Sequence, residues 1–439
     1  MRIAVVGAGI AGLTAAARLH PHHDITLFEA ETQLGGHALT RLVPDAAVCA
    51  TLTRPDGRGR TDRDLRSGER PTMHAADLGF MVWNHRTYPG LKAMFERLGV
   101  VTAPTSMGFS VRDAGSGLEY AGETLGGLFA QPLNALRPSF LRMIRDIVRF
   151  NAHARDWVAG PHADATLGEL LARERFTRNF RDHYLVPMGA AIWSASERDM
   201  EAFPARFFVG FLDNHGMLEP PSRQLQWHVV HDGSRRYVEA LSRPFADRVR
   251  VACPVRRVER TAQGVRVTYD GGHEDFDLAV LASHADQSLA LLADATPLER
   301  EALAAFPYRR NDAVLHTDTA LLPRSRRAWA SWNYHVPADR TAPVMVTYDL
   351  ARLQHLRTPG PLLLTLNDRG TVAEGRVLER RTFAHPAFTR DSVAWQARHA
   401  EVSGSHRVHF CGAYWRNGFH EDGLVSGDRV ADLILGASA

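Results

Sequence analysis

Ile3-Ala4-Val5-Val6-Gly7-Ala8-Gly9-Ile10-Ala11-Gly12-Leu13-Thr14-Ala15-Ala16-Ala17-Arg18-Leu19 decides the fold, together with Ile25-Thr26-Leu27-Phe28-Glu29. The short apolar, β-branched run Ile3–Val6 has the pattern of a buried parallel strand. Helix formers follow the glycines, and a second strand ends on an acid. This is the β-α-β dinucleotide fingerprint in its required order. Gly7 permits the tight turn, Gly9 lets backbone approach a pyrophosphate, and Gly12 lets helix pack on strand. The helix N-terminus, at Ile10 and Ala11, offers unpaired N–H groups to phosphates. Glu29 is placed to accept hydrogen bonds from ribose hydroxyls, with Ala30 beside it.

Composition agrees with an ordinary globular chain. The 439 residues are 45% hydrophobic and 23% charged, and 52 Lys+Arg against 49 Asp+Glu leave a net charge of +3. No Lys/Arg-rich block appears, so nucleic acid is not the expected partner. Cys49, Cys253 and Cys411 include no pair at CxxC spacing, which argues against a dithiol, a zinc knuckle or a disulfide framework. No metal is expected. No run approaches the ~18 apolar residues of a membrane span, and Arg2–Gly7 lacks a signal-peptide pattern. The expected location is the cytoplasm. Lys92 is the one lysine, so a catalytic lysine could only be that residue.

Gly35-Gly36-His37, a few residues past Glu29, resembles a signature of the FAD-dependent superfamily of amine oxidases, phytoene desaturases and protoporphyrinogen oxidases. The terminal Cys411-Gly412-Ala413-Tyr414-Trp415 and Gly423-Leu424 resemble that superfamily's last flavin motif, where a helix N-terminus meets the flavin. Many relatives carry an acid where this chain has Ala413. No second GxGxxG is found, which disfavours a separate NAD(P)H domain. Asp77-Leu78-Gly79-Phe80-Met81-Val82-Trp83-Asn84, Pro187-Met188-Gly189 and Asn214-His215-Gly216 are similar to a narrower group. Its members are predicted NAD/FAD-binding oxidoreductases associated with cyclopropane-fatty-acyl-synthase-like methyltransferases.

The resemblance implies a mixed α/β chain, α+β overall. A Rossmann-like, GR2-type FAD-binding domain would use residues 1–85, 225–290 and 400–439, with 44–73 an exposed insertion. An interleaved substrate domain of sheet plus helices would use 86–224 and 291–399. The cofactor is expected to be non-covalent FAD, held also by Gly79, Phe80, Val255 and Ser283. The implied chemistry is hydride transfer to the flavin from a hydrophobic, acyl- or lipid-like substrate. Amine or amino-acid oxidation and redox-neutral double-bond isomerisation are the alternatives. Amine oxidases of the superfamily commonly keep a lysine near the flavin, and Lys92 sits in an amphipathic helix, so amine oxidation is disfavoured.

His37, a near-neutral titrator, His420 and Glu421 are the candidate acid–base groups. Against them stands a plain structural use, with Glu421 a helix-start acid. Trp193, Trp332, Tyr334, Trp415 and Phe419 are candidates for an apolar pocket, although buried aromatics are usually core. Arg142, Arg145 and Arg149 share one face of the helix that starts at Pro138. A solvated face is the plain reading. Peripheral contact with an anionic membrane, or a grip on an acyl carboxylate, is the functional one. A partner methyltransferase is the other interaction implied.

Overall fold

Five parallel strands carry the dinucleotide fingerprint into three dimensions. Their spatial order is Val249–Arg250, Asp24–Phe28, Arg2–Val6, Leu278–Leu281 and Val408–Phe410. The central strand, Arg2–Val6, is buried on both faces: Ile3 and Val5 pack against helices, Ala4 and Val6 against an antiparallel meander and the helices beyond it, and Ile3 to Val5 are fully buried. The computed structural model describes residues 1–52, 72–160, 164–193, 200–220, 223–339 and 345–436.

Two helices cross closely beside this sheet, Ile10–Leu19 and His420–Gly436. Glycines set their separation. A Cβ on Gly427 would lie 2.3 Å from the Ala11 carbonyl oxygen, and one on Gly423 would lie 2.6 Å from Ile10 Cγ2. An antiparallel meander, Val255–Arg260, Val265–Tyr269 and Gly272–Phe276, precedes the return strand at Leu278.

A second, seven-stranded sheet has the order Val377–Pro386, Tyr308–His316, Leu363–Leu366, Met345–Asp349, Trp332–Val336, Phe109–Asp113 and Glu119–Ala121. All its pairings are antiparallel except Trp332–Val336 with Phe109–Asp113. Helices Pro138–Ala159, Val186–Trp193 and Ala205–Asn214 share a core with it. The fold is therefore mixed helix and sheet.

The packing shifts the expected division of the chain. Helix Pro89–Leu98 is expected in the substrate domain, yet Leu91, Met94 and Phe95 are buried with the first sheet's core. Ala302, Leu303, Phe306 and Trp395 also pack on that sheet, although they fall in the expected substrate-domain segment 291–399. The reason is that apolar stripes, not strand order, decide which core a helix joins.

The expected exposed insertion 44–73 is corrected at both ends. Thr40–Pro44 pairs antiparallel with Met73–Asp77. Between them, helix Asp45–Thr51 buries Val48 and Cys49. Residues 53–71 lie outside the described residues.

Candidate active site

A cavity of about 2180 Å³ runs from the glycine turn of the first sheet to the seven-stranded sheet. Small-molecule sites usually occupy ~300–1,000 Å³, so there is room for a dinucleotide and a second molecule. Of the expected cofactor contacts, Gly7, Gly9, Ile10, Ala11, Glu29, Ala30, Gly35, Gly36, His37, Gly79, Phe80, Val255, Ser283, Gly412, Ala413 and Gly423 all line it.

The first turn is built as its glycines require. Gly7 has φ +103°, and a Cβ there would lie 3.0 Å from the Ala282 carbonyl oxygen. A Cβ on Gly12 would lie 1.9 Å from the Gly7 carbonyl oxygen, so Gly12 serves packing and does not line the cavity. Gly9 is different: a Cβ there would meet nothing within 4 Å. Gly9 is also the N-cap of the first helix, and no side chain caps that end. The second glycine pair is stitched to the first, because Gly35 N–H donates to the Ala8 carbonyl at 2.9 Å.

Glu29 is held at the end of its strand. Its carboxylate accepts from Ala8 N–H at 2.8 Å and from Glu31 N–H at 2.9 Å. It faces the cavity with its oxygens fixed. An uncapped helix N-terminus, open space at Gly9 and a fixed carboxylate one strand away fit pyrophosphate and ribose.

His37 comes next along the cavity. Its ring hydrogen-bonds the Ala384 carbonyl, and its buried Nε2 has no partner among the described residues. Burial, then the neighbouring His385, His284 and His420, pushes its pKa down to about 3. His37 is thus neutral at physiological pH and is not the near-neutral titrator expected. The buried orphan nitrogen suits a hydrogen bond to bound cofactor or substrate.

His420 lines the cavity with the same electrostatic outcome. Burial lowers its pKa to about 3. Its ring stacks on Phe80, with centroids 3.9 Å apart. Its Nε2 lies 2.5 Å from the Tyr237 hydroxyl. Burial raises the Tyr237 phenol well above its ordinary value, so the phenol donates and His420 accepts. Both expected acid–base histidines are therefore uncharged.

Glu421 does not face the cavity. It accepts from Gly90 N–H at 2.7 Å and Leu91 N–H at 2.9 Å, capping helix Pro89–Leu98. A helix-capping role, close to the plain structural use set beside the catalytic one, is what these bonds give Glu421. Leu424 is also turned away, packed in the first core, where its Cδ2 would sit 2.8 Å from a Cβ on Gly90.

Among the expected pocket aromatics, Trp332 and Phe419 line the cavity. Phe419 stacks on Phe211, with centroids 5.4 Å apart. Tyr334 is buried in the second core. Trp415 packs in the first, against Phe306 and His399. Its neighbour Tyr414 faces the cavity in its place. The side chain of Trp193 lies outside the described residues. Lys92 pairs with Glu96 at 2.6 Å and does not line the cavity. Cys411 is buried in the first core, its thiol pushed up to about 12 by burial.

Sequence reasoning places the loop of His284 near the cofactor but misses the partners that His284, His385 and Tyr237 make there. Tyr237 fixes His420, and His284 and His385 surround His37 at centroid distances of 5.8 and 5.1 Å. Asp77 stands in the sequence only as one letter of a longer motif. In the fold it is a buried hub whose pKa is raised to about 6 by burial, against hydrogen bonds from Thr40 and Ser234. Among the described residues, no group of three His, Cys, Asp or Glu is arranged to hold a metal.

A glycine-walled dinucleotide cradle opening into an apolar chamber defines a flavin-dependent oxidoreductase. The chain belongs to the flavin-containing amine oxidoreductase family, whose sequence profile matches residues 10–321. FAD is its cofactor. The Mycobacterium tuberculosis protein AofH, assigned as a flavin-containing monoamine oxidase, is 26% identical over 381 residues. That alignment covers 84% of this chain and 74% of AofH. Cyclohexylamine oxidase from Brevibacterium oxydans shares the fold, with a TM-score of 0.63, 14% identity and coverage of 100% of this chain and 99% of that one. A CLA-producing fatty acid isomerase from P. acnes shares it at a TM-score of 0.61, with 16% identity over 99% and 98% of the two chains.

Proposed function

We propose that this enzyme removes hydride from an apolar, acyl- or lipid-like substrate. One observation carries the reading. Beyond the glycine cradle the cavity is walled by apolar side chains, among them Met107, Ile144, Met188, Ile192, Trp332 and Leu364. Such a wall favours a hydrocarbon chain through burial of apolar area and excludes water from the reacting carbon.

FAD, when bound, supplies a two-electron acceptor for that hydride. The chain's own residues position and insulate. Phe419 and Phe211 form a flat aromatic face beside His420. His420 is locked by Phe80 and Tyr237, so it holds a fixed orientation and adds no charge. The neutral His37 Nε2 offers a hydrogen-bond acceptor at the seam between the glycine cradle and the chamber. The lone lysine is elsewhere, which supports a substrate other than an amine.

Redox-neutral double-bond isomerisation is the second reading, favoured by the fold shared with the fatty acid isomerase. Anaerobic mixing of the holoenzyme with unsaturated fatty acids, saturated acyl chains and amines tests all three readings. Lasting flavin bleaching by an acyl chain supports dehydrogenation. Turnover to a product of unchanged mass supports isomerisation. Bleaching by amines alone sinks the proposal. A partner methyltransferase belongs to the same reading and is checked by co-purification with active holoenzyme.

A further inference from the structure

Among the described residues, five of the fourteen exposed large hydrophobic side chains fall within residues 125–148. Leu125, Leu133, Leu136, Leu141 and Val148 are between 46% and 79% exposed. Single exposed leucines need no explanation, but this concentration within one stretch does. The helical period puts Leu141, Arg145 and Val148 on one stripe of helix Pro138–Ala159. Opposite them, Phe140, Met143, Phe150 and Ala154 are buried.

Charge on the same stretch is one-sided. Arg137, Arg142 and Arg145 are exposed. Arg142 donates locally to the Pro138 carbonyl at 3.3 Å, and Arg145 lies 3.9 Å from Asp146. Asp146 is the only acid from 124 to 155, and it is buried, accepting from Thr177 N–H at 3.0 Å. Arg149 is turned inward over Phe176, 4.2 Å from the ring centroid. Glu123, bonded by Ser106, is the exposed acid at the edge.

The stretch is continuous with the cavity. Ile144, Ile147, Val148 and Asn151 line it, and Val148 does so while largely exposed. One flank of the helix therefore forms cavity wall, and its outer stripe offers leucine and arginine at the opening.

We propose that this face docks on an anionic lipid bilayer and opens the cavity toward it. The leucines would enter the acyl boundary and the arginines meet phosphate headgroups. Contact is peripheral, since no helix among the described residues is long and apolar enough to cross a membrane. The role as a substrate entrance rests on the acyl reading above, whereas the docking itself does not.

Sedimentation of the holoenzyme with vesicles separates the two. Vesicles of phosphatidylcholine plus phosphatidylglycerol should carry the enzyme down, and those of phosphatidylcholine alone should carry much less. Leu133→Ser/Leu136→Ser/Leu141→Ser should lower partitioning about tenfold, with the FAD spectrum unchanged. Arg142→Glu/Arg145→Glu should abolish the preference for the anionic lipid. A holoenzyme left in the supernatant with both vesicles overturns docking, as do both variants binding like wild type. A dimer broken by the leucine substitutions, with vesicles ignored, assigns the face to a second copy and also overturns it. Vesicle binding without flavin bleaching by any acyl chain overturns the acyl reading and leaves docking standing. Bleaching by detergent-dispersed acyl chain without vesicle binding does the reverse.

Discussion

The Asp77 carboxylate takes two hydrogen bonds from Ser234, one from its N–H at 2.8 Å and one from its hydroxyl at 2.7 Å. Thr40 donates a third at 2.5 Å. Gln354 bonds the Asp77 backbone on both sides. One buried carboxylate thus ties strand Thr40–Pro44, the start of helix Arg235–Ser242 and the Gly79–Phe80 turn that lines the cavity. Asp77→Ala strands three donors at ~1–3 kcal/mol each, so a loss of about 3 kcal/mol or more is expected. Ser234→Ala should cost less, about 1–2 kcal/mol. Urea denaturation checks both, and an unchanged Asp77→Ala midpoint would remove the hub.

Gly9 and Gly12 should fail in different ways. A methyl at Gly12 collides with the Gly7 carbonyl, so Gly12→Ala should unfold or strongly destabilise the first domain. A methyl at Gly9 meets nothing within 4 Å among the described residues and occupies space in the dinucleotide cradle. Gly9→Ala should fold with near wild-type stability and lose FAD affinity about 100-fold or more, as a blocked phosphate approach costs several hydrogen bonds. Equilibrium dialysis against FAD, alongside thermal melts of the apoprotein, reads the two effects. Full FAD affinity in Gly9→Ala would exclude this turn from the cofactor site.

Buried histidines make the fold acid-labile. Burial pushes His316, His399 and His409 down to about 4, as it does His385, and His37 and His420 to about 3. Unfolded, each titrates near 6.5. Between pH 6.5 and 4 the unfolded chain therefore binds more protons, and stability falls as pH drops. Asp77 and Asp422, raised to about 6 by burial, work in the opposite sense between about 6 and 3.8. Burial also raises Glu421, Asp349 and Asp428, but the lowered histidines, His215, His284 and His335 among them, outnumber the raised carboxylates, and every tenfold difference in proton affinity between folded and unfolded chain is worth about 1.4 kcal/mol. The denaturation midpoint should decline steadily from pH 7 to pH 5. His316→Asn, away from the cavity, should flatten that decline, and a midpoint rising toward acid would contradict it.

Legibility in the sequence followed the distance over which each residue acts. The turn Gly7–Gly12 and Glu29 were readable because strand, helix and acid lie within 27 residues and their geometry is local. Gly35, Gly36, Gly412 and Gly423 were readable through resemblance. Which helix Glu421 caps is not legible, because its partners, Gly90 and Leu91, lie more than 300 positions away. Trp415 was misread because a single helical turn at Ala413–Trp415 puts Tyr414, not Trp415, on the cavity side. His37 and His420 both line the cavity, but neither is the near-neutral titrator that a free imidazole would be. Their pKa depends on burial and on His284 and His385, which no local pattern brings to His37.

Glu421 gives the sharpest separation of support from chemistry. Its two carboxylate oxygens each take one N–H from the first turn of helix Pro89–Leu98, and burial raises its pKa while those bonds lower it. Glu421→Gln keeps one acceptor oxygen and turns an amide toward the other N–H, so one donor loses its partner. A stability loss of about 1–3 kcal/mol should follow. Helix Pro89–Leu98 packs on the His420–Gly436 helix, whose start positions His420 beside Phe80. The helix itself remains anchored by buried Leu91, Met94 and Phe95, so His420 should keep its place. Anaerobic flavin reduction by the bleaching substrate should then stay within about threefold of wild type, with an unchanged pH profile, because a group off the reacting atoms contributes no transition-state binding. His420→Ala, which removes a cavity-lining ring stacked on Phe80, should slow that reduction far more at similar stability. Equal slowing in the two variants, or a pH profile altered in Glu421→Gln, would return Glu421 to the chemistry.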